Sequence, residues 1–388
     1  MSNLFKRVRE SIRSGFFGSV RHVANIDDTR RILTDALHVQ PDIGCVRELA
    51  ACQLLDAPYP ELRQEPESRL TPAARRPLFV TGRFRSGSTL LWQLFRALPG
   101  ATSYYEPFNQ RRWFDPDTRG THVDPTHINV ANYWDEYDGL TRLRSLYQEE
   151  WTRRQLYMDA RAWNAPMQQY IQALIDNAKG RAVLQFNDVD MRLPWLRARF
   201  PDAEILHIYR NPRDQWCSTL PRHAFDMTKL RLQDFEPYDG FYLRNWGRDL
   251  SYFFPFLSQD GDSHPYELYY QLWKLSYMFG RAFADLSIGF ESLVRDPERE
   301  IAGMMTRFGF ADVELDRLVG LVAPVKEGKW RQRASQEFFA AIESRVDRTF
   351  ENYFDAQVPR TELPRVSALR TGRRARSATE GATHLSHL

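Results

Sequence analysis

Pro77-Leu78-Phe79-Val80-Thr81-Gly82-Arg83-Phe84-Arg85-Ser86-Gly87-Ser88-Thr89-Leu90-Leu91 is the stretch on which the rest of the chain hangs. A short apolar run gives way to a polar turn bounded by Gly82 and Gly87. Leu90, Leu91, Leu94, Phe95 and Leu98 then recur at helical spacing. A strand, a tight turn and a helix N-terminus in that order make an anion site, because the first helical N–H groups lack partners and the helix dipole adds partial positive charge. The spacing Gly82-x4-Gly87 is that of a nucleotide P-loop, yet Ser88 stands where the triphosphate-gripping Lys would be. The loop therefore reads as a phosphate cradle ill suited to ATP or GTP, with Arg85 just ahead of its turn.

Outward from this loop the pattern is α/β. Ala182–Phe186 and Glu204–Tyr209 are apolar strands on either side of a helix around Met191–Phe200. Leu286–Phe290 is another strand, and Asp296-Pro297 opens a helix to about Phe308. Strands alternating with helices predict a P-loop-type three-layer fold with a central, mainly parallel sheet. An N-terminal helical extension and linker occupy 1–76, the main domain 77–358, and a disordered basic tail 359–388. Within the main domain, 107–180 is expected to be a helical region on the acceptor side.

The chain has 388 residues, 43% of them hydrophobic, and a net charge of +3 that gathers at its ends. Residues 1–22 carry five basic residues and one acidic, and 359–388 carry six and two, so the body between them is slightly acidic. That balance argues against a nucleic-acid partner. Leu4, Val8, Ile12, Phe16 and Val20 recur among the basic residues of 1–22, the pattern of a basic amphipathic helix. It is a candidate for peripheral contact with a membrane, or for packing against the body or an oligomer partner. Three scattered cysteines and no long apolar run point to a cytoplasmic protein, peripheral to the inner membrane face if 1–22 binds lipid. Residue spacing gives no metal site.

A second anion site lies in Ile205-Leu206-His207-Ile208-Tyr209-Arg210-Asn211-Pro212-Arg213-Asp214-Gln215-Trp216-Cys217-Ser218. The strand delivers Arg210 to its carboxyl edge, where ligands of open parallel sheets bind. Ser218, on the helix that follows, can point back at the same anion. Two phosphate cradles suit a doubly phosphorylated nucleotide.

The combination resembles the sulfotransferase family that uses 3′-phosphoadenosine 5′-phosphosulfate (PAPS). Arg85-Ser86-Gly87-Ser88-Thr89 matches the loop that holds the 5′-phosphosulfate, and Arg210 with Ser218 matches the pair that holds the 3′-phosphate. Phe290-Glu291-Ser292-Leu293-Val294-Arg295-Asp296-Pro297 is similar to a further family segment. Lys326-Glu327-Gly328-Lys329-Trp330-Arg331 is similar to the late loop that closes on the nucleotide, which implies contacts from Lys329, Trp330 and Arg331. The Lys-Thr-His-Leu-Pro element with the catalytic His of cytosolic members is absent, and Leu184-Gln185-Phe186-Asn187-Asp188 stands in its place. The chain thus looks more like the bacterial and carbohydrate-type branch.

That resemblance implies a sulfo group moved from PAPS to an acceptor hydroxyl without a metal. Cations and backbone amides would stabilise the departing phosphate, with Arg85 foremost. Glu106, in Tyr104-Tyr105-Glu106-Pro107-Phe108, occupies a position comparable to the Glu base of carbohydrate and protein-tyrosine members. Turn capping, or pairing with Arg111 or Arg112, is the alternative role for Glu106, and His122, His127 and Asp188 are rival bases. The aromatic and amide residues of 107–180 suit a carbohydrate acceptor, although most of those aromatics are expected to pack a core. A P-loop kinase lacks its Lys here, and a non-catalytic nucleotide- or membrane-surface binding protein of the same fold is the remaining alternative.

Overall fold

The computed structural model describes residues 76–357 apart from 222–224, 258–260 and 312. The predicted N-terminal helices, the basic segment 1–22 and the tail from 359 lie outside the described residues. In chain order the main elements are β1 (Leu78–Thr81), α1 (Ser88–Arg96), β2 (Ala101–Tyr105), α2 (Ala165–Asn177), β3 (Arg181–Phe186) and α3 (Leu193–Arg199). They continue with β4 (Glu204–Tyr209), α4 (Pro212–Thr219), α5 (Leu243–Leu250), α6 (Pro265–Phe283), β5 (Leu286–Gly289), α7 (Pro297–Arg307) and α8 (Gln336–Gln357).

The strands form one sheet in the order β2-β3-β1-β4-β5, every neighbouring pair parallel. β1 and β3 are buried along their whole length, as strands covered on both faces must be. Alternation along the strands sorts their side chains. Phe79, Leu184 and Ile205 join α2 and α3 in one core through Tyr170, Ile171, Leu174, Trp195 and Leu196. Leu78, Val80, Val183, Leu206 and Ile208 face the other way, against Leu91, Leu94 and Phe95 of α1 and Ile301, Met304 and Met305 of α7. This is the expected three-layer arrangement. A third cluster around Trp216, Trp246 and Trp330 packs α4, α5, α6 and α8 together.

Three details differ from the sequence reading. β2 had no apolar signature, and its polar residues are accommodated by partners such as Trp92, whose indole donates to the Ser103 carbonyl at 2.7 Å. β5 stops at Gly289, and Phe290 already opens a short helix, Phe290–Arg295. The expected helical region 107–180 is helical only at its end. Apart from α2 and the four-residue helix Pro116–Arg119, it is built from loops and the single 3-10 turns Asp135–Tyr137, Thr141–Ser145 and Glu149–Thr152. Gly120, Asn129 and Gly139 all take positive φ there, which interrupts any longer helix.

Candidate active site

The chain reverses between β1 and α1 at a turn that only glycine fits. Gly87 has φ +102°, and a Cβ there would overlap the Phe290 ring. Gly82 lies so close to β4 that a Cβ would sit 2.5 Å from the Ile208 carbonyl oxygen. α1 then begins with no side-chain cap and no acidic residue in its first turn. Its leading amides are open to an anion, and the helix dipole favours one.

α4 starts differently. The Asn211 side chain accepts from the N–H groups of Arg213 and Asp214, and Asp214 places a carboxylate in the first turn. The second expected cradle therefore depends on side chains rather than on a free helix terminus. Arg210 provides the charge. Its guanidinium lies 4.8 Å from the Phe290 ring centre and donates to the Arg85 carbonyl at 3.2 Å, so the two loops touch. Its buried Nε has no hydrogen-bond partner among the described residues. Burial lowers the Arg210 pKa, and the charges of Glu291 and Asp214 oppose that. Ser218 bonds through its hydroxyl to the Gln215 carbonyl at 2.7 Å.

One cleft of about 1270 Å³ is lined by Arg85, Gly87, Ser88, Thr89, Glu106, Arg210, Ser218 and Lys329. Arg85 and Arg210 thus lie on the wall of one space. Ser86 is buried beneath the turn, and its hydroxyl has no partner among the described residues. Trp330 does not line the cleft. It is 6% exposed and packs edge-on against Phe339, with Arg213 and Arg331 each 4.6 Å from its ring centre. Arg331, exposed, lies against that buried indole and is likewise absent from the cleft wall. The late loop instead presents Lys329, Gln332 and Arg333. It is tied to α4 by Asp214, whose carboxylate accepts the Gly328 N–H at 2.7 Å and the Trp330 N–H at 3.1 Å.

Arg85 and Glu106 share an unusual backbone. Both are non-glycine residues in positive φ, at 67° and 39°. Such conformations cost on the order of 1 kcal/mol or more and gather where function holds them. The Arg85 guanidinium donates to Thr126 Oγ1 at 3.2 Å and lies 3.7 Å from Asp124. Burial alone would raise the Asp124 carboxyl, but the Thr126 N–H and hydroxyl, with the His127 and Arg85 charges, hold it below the ordinary value.

Glu106 follows β2 directly. No ion pair joins it to Arg111 or Arg112; Arg112 instead pairs with Glu149 at 3.6 Å. Its carboxylate accepts from the amides of Asn109 and Asn187. Burial pushes its pKa up, while those amides, the Tyr105 hydroxyl and the Arg111 charge restrain the rise. Asp188, 7% exposed on the same cleft, is raised to about 7. Burial is the main cause; the Arg192 charge opposes it, and Glu106 and Asp190 reinforce it. Of the other rivals, His122 lines the cleft. His127 is bonded at Nδ1 to the Tyr133 hydroxyl at 2.6 Å and at Nε2 to Thr89 at 3.4 Å, and burial lowers its pKa.

Of the aromatics in 107–180, Trp151 is buried in the core and Trp163 is 75% exposed. Phe108, Trp113 and Tyr133, with Tyr105 of β2, share the cleft wall with Asn109 and Gln110. Asn187, which the sequence offered only as part of the segment replacing the catalytic-His element, and Arg333, which nothing in the order of residues singled out, also line the cleft. Among the described residues no His, Cys, Asp and Glu cluster is arranged to hold a metal ion, and no helix is long and apolar enough to cross a membrane.

A family model described as "Sulfotransferase family" matches residues 77–314. Among solved structures, the chain is similar to the sulfotransferase STF1 from Mycobacterium tuberculosis H37Rv, with 17% identity and a TM-score of 0.38 over 72% of this chain and 77% of that one. STF9 from Mycobacterium avium gives 13% identity and a TM-score of 0.41 over 73% and 77%. A sulfotransferase from Alicyclobacillus acidocaldarius gives 19% identity and a TM-score of 0.35 over 72% and 96%. No match was found among curated proteins.

Proposed function

We propose a donor, a base and an acceptor class for this chain, which belongs to the sulfotransferase family. The donor is PAPS, the base is Glu106, and the acceptor is a hydroxylated molecule of carbohydrate type. The observation that carries this reading is that Arg85, Ser88, Arg210, Ser218 and Glu106 all line one cleft.

In this reading Gly87, Ser88 and Thr89 hold the 5′-phosphosulfate end with the open amides at the start of α1, Ser86, whose N–H is bonded to the Arg83 carbonyl, supports the turn from beneath, and Arg85 adds positive charge. Arg210 and Ser218 hold the 3′-phosphate, with Lys329 on the late loop beside them. Trp330 and Arg331 act indirectly, by shaping that loop. Transfer breaks the sulfur–oxygen bond to the 5′-phosphate, which keeps the electron pair, and forms a bond from sulfur to the acceptor oxygen. Glu106 takes the acceptor's proton. Its two amide donors favour the ionised carboxylate, the form that can accept a proton. Preorganised donors at the phosphate would stabilise charge as it develops, without costly reorganisation. The half-buried amides of Asn109 and Gln110 on the cleft wall support a hydroxylated acceptor, while Tyr105, Phe108, Trp113 and Tyr133 behind them pack on one another in the core. The catalytic unit is assigned to 77–358, and residues 1–22 remain a candidate for surface contact that a liposome assay on the truncated chain would test.

Calorimetry with adenosine 3′,5′-bisphosphate and with ATP, each with and without Mg²⁺, tests the donor. Bisphosphate binding that needs no metal is expected; preference for Mg·ATP would refute it. Carbohydrate and phenolic acceptors are then screened with PAPS for the mass gain of one sulfo group. With an acceptor in hand, Glu106→Gln should lower kcat by about 10²–10⁴-fold while bisphosphate affinity persists. Full turnover in that variant would exclude Glu106 as the base.

A further inference from the structure

We propose that Asn187 is a positioning residue that links the phosphate loop to Glu106 through a single side-chain amide. The inference rests on Glu106 being the proton acceptor, but its physical content, a coupling between two groups, can be measured separately.

Asn187 lies one residue past the end of β3 and is 6% exposed. Its Oδ1 accepts from Ser88 Oγ at 2.8 Å and from Gln185 Nε2 at 2.9 Å, and its Nδ2 donates to Glu106 Oε1. The contact with Glu106 fixes which end of the amide is oxygen, because exchanging the ends would face the carboxylate with an oxygen, whereas Ser88 and Gln185 could each reverse their own role. Glu106 Oε2 accepts from Asn109 Nδ2, so the carboxylate is held between two amides that can only donate to it. Such donors favour the charged form of an acid.

The other end of the relay is Ser88, the first residue of α1. A serine hydroxyl has one proton to donate. While that proton is on Asn187, the amide is polarised and its N–H is a better donor to Glu106. A phosphate at the open amides of α1 competes for the same proton. Occupancy of the loop is thereby felt at the carboxylate across two hydrogen bonds. The other groups facing Glu106 are Arg111, Asp188 and the phenols Tyr105, Tyr133, Tyr137 and Tyr242. None of them bonds to Ser88, but the Tyr105 hydroxyl lies 3.3 Å from Thr89 Oγ1 and forms a second, parallel path from the loop, which Tyr105→Phe removes in the same titration.

The test is to titrate Glu106 by ¹³C NMR in full-length protein labelled at the glutamate carboxyl carbon, with Glu106→Gln identifying its resonance. Asn187→Ala should raise the Glu106 pKa by about one unit, the worth of one donor to a charged group. Asn187→Asp, which matches the native side chain in shape, should raise it further, because a second carboxylate replaces the donor. Ser88→Ala should raise it by a few tenths alone and by nothing in the Asn187→Ala background, since interacting residues are non-additive. A Glu106 titration unmoved in both Asn187 variants overturns the proposal, as does full additivity of Ser88→Ala with Asn187→Ala. If Asn187→Ala does not fold, the Asp variant decides. A Glu106→Gln protein with undiminished turnover would remove the base reading while leaving the titration result intact.

Discussion

Replacing Asp188 with Asn should make this protein more stable at neutral pH, and by an amount that grows as pH rises. Asp188 is 7% exposed at the end of β3, and its pKa is raised from 3.8 to about 7, chiefly by burial. The folded state therefore keeps a proton that the unfolded chain gives up once pH passes about 4. Below that pH both states are protonated and the residue adds no pH-dependent cost. Between about 4 and 7 stability is lost as pH rises, and above 7 the loss is complete. A rise of about three units, at about 1.4 kcal/mol each, puts the full cost at about 4 kcal/mol. Asn has no proton to lose. The stability gain of Asp188→Asn should therefore be close to zero near pH 4 and approach about 4 kcal/mol at pH 8. Urea unfolding followed by tryptophan fluorescence at pH 4.5, 6 and 8 measures it, provided the m-values agree. A difference that does not change with pH, or a variant less stable at pH 8, would refute the reasoning. Because the Glu106 charge contributes to the raised pKa, Glu106→Gln should flatten the same pH dependence in part.

Arg210→Ala should weaken adenosine 3′,5′-bisphosphate binding about 10- to 100-fold, the worth of one charge-assisted contact, and unchanged affinity in calorimetry would refute its place in the donor site. Gly87→Ala should weaken binding of the same ligand at least as much, since alanine is strained at φ +102° and its methyl meets Phe290. Adding Phe290→Ala should relieve the overlap but not the strain, so full recovery in the double variant would contradict this account.

The legible parts of the sequence were those where local chemistry and tertiary packing agree. β1, its glycine-bounded turn and α1 are coded by an apolar run, an obligatory positive φ at Gly87 and a helical apolar stripe. β4 and Arg210 were equally plain, because a buried strand ending in Arg-Asn-Pro can place its cation only at the sheet edge. β2 was not legible, since Ala101-Thr102-Ser103 carry no strand signature and owe their place to pairing with β3. Residues 107–164, within the region expected to be helical, are instead divided into single turns by glycine and asparagine in positive φ. Trp330 and Arg331 matched a nucleotide-contacting motif in order but not in direction, because α8 offers Phe339 as a better partner for the indole.

Asn187 was hidden for a different reason, and Asp188 was legible only as a rival base; both bear on why the cleft works. A polar pair after an apolar strand reads as the start of a loop, yet here both residues are buried. Burying a carboxyl is costly, and so is positive φ at a residue with a side chain. Asp188 carries the first cost, Arg85 the second, and Glu106, raised in pKa at φ 39°, carries both. All three line the same cleft. The sheet around them obeys ordinary rules of burial and pairing, so it can hold these unfavourable groups in place. Arg112, Asn129 and Gln155 also take positive φ away from the cleft, so it is the coincidence of positive φ with a raised carboxyl at Glu106, beside Arg85 and Asp188, that argues for the site without motif matching.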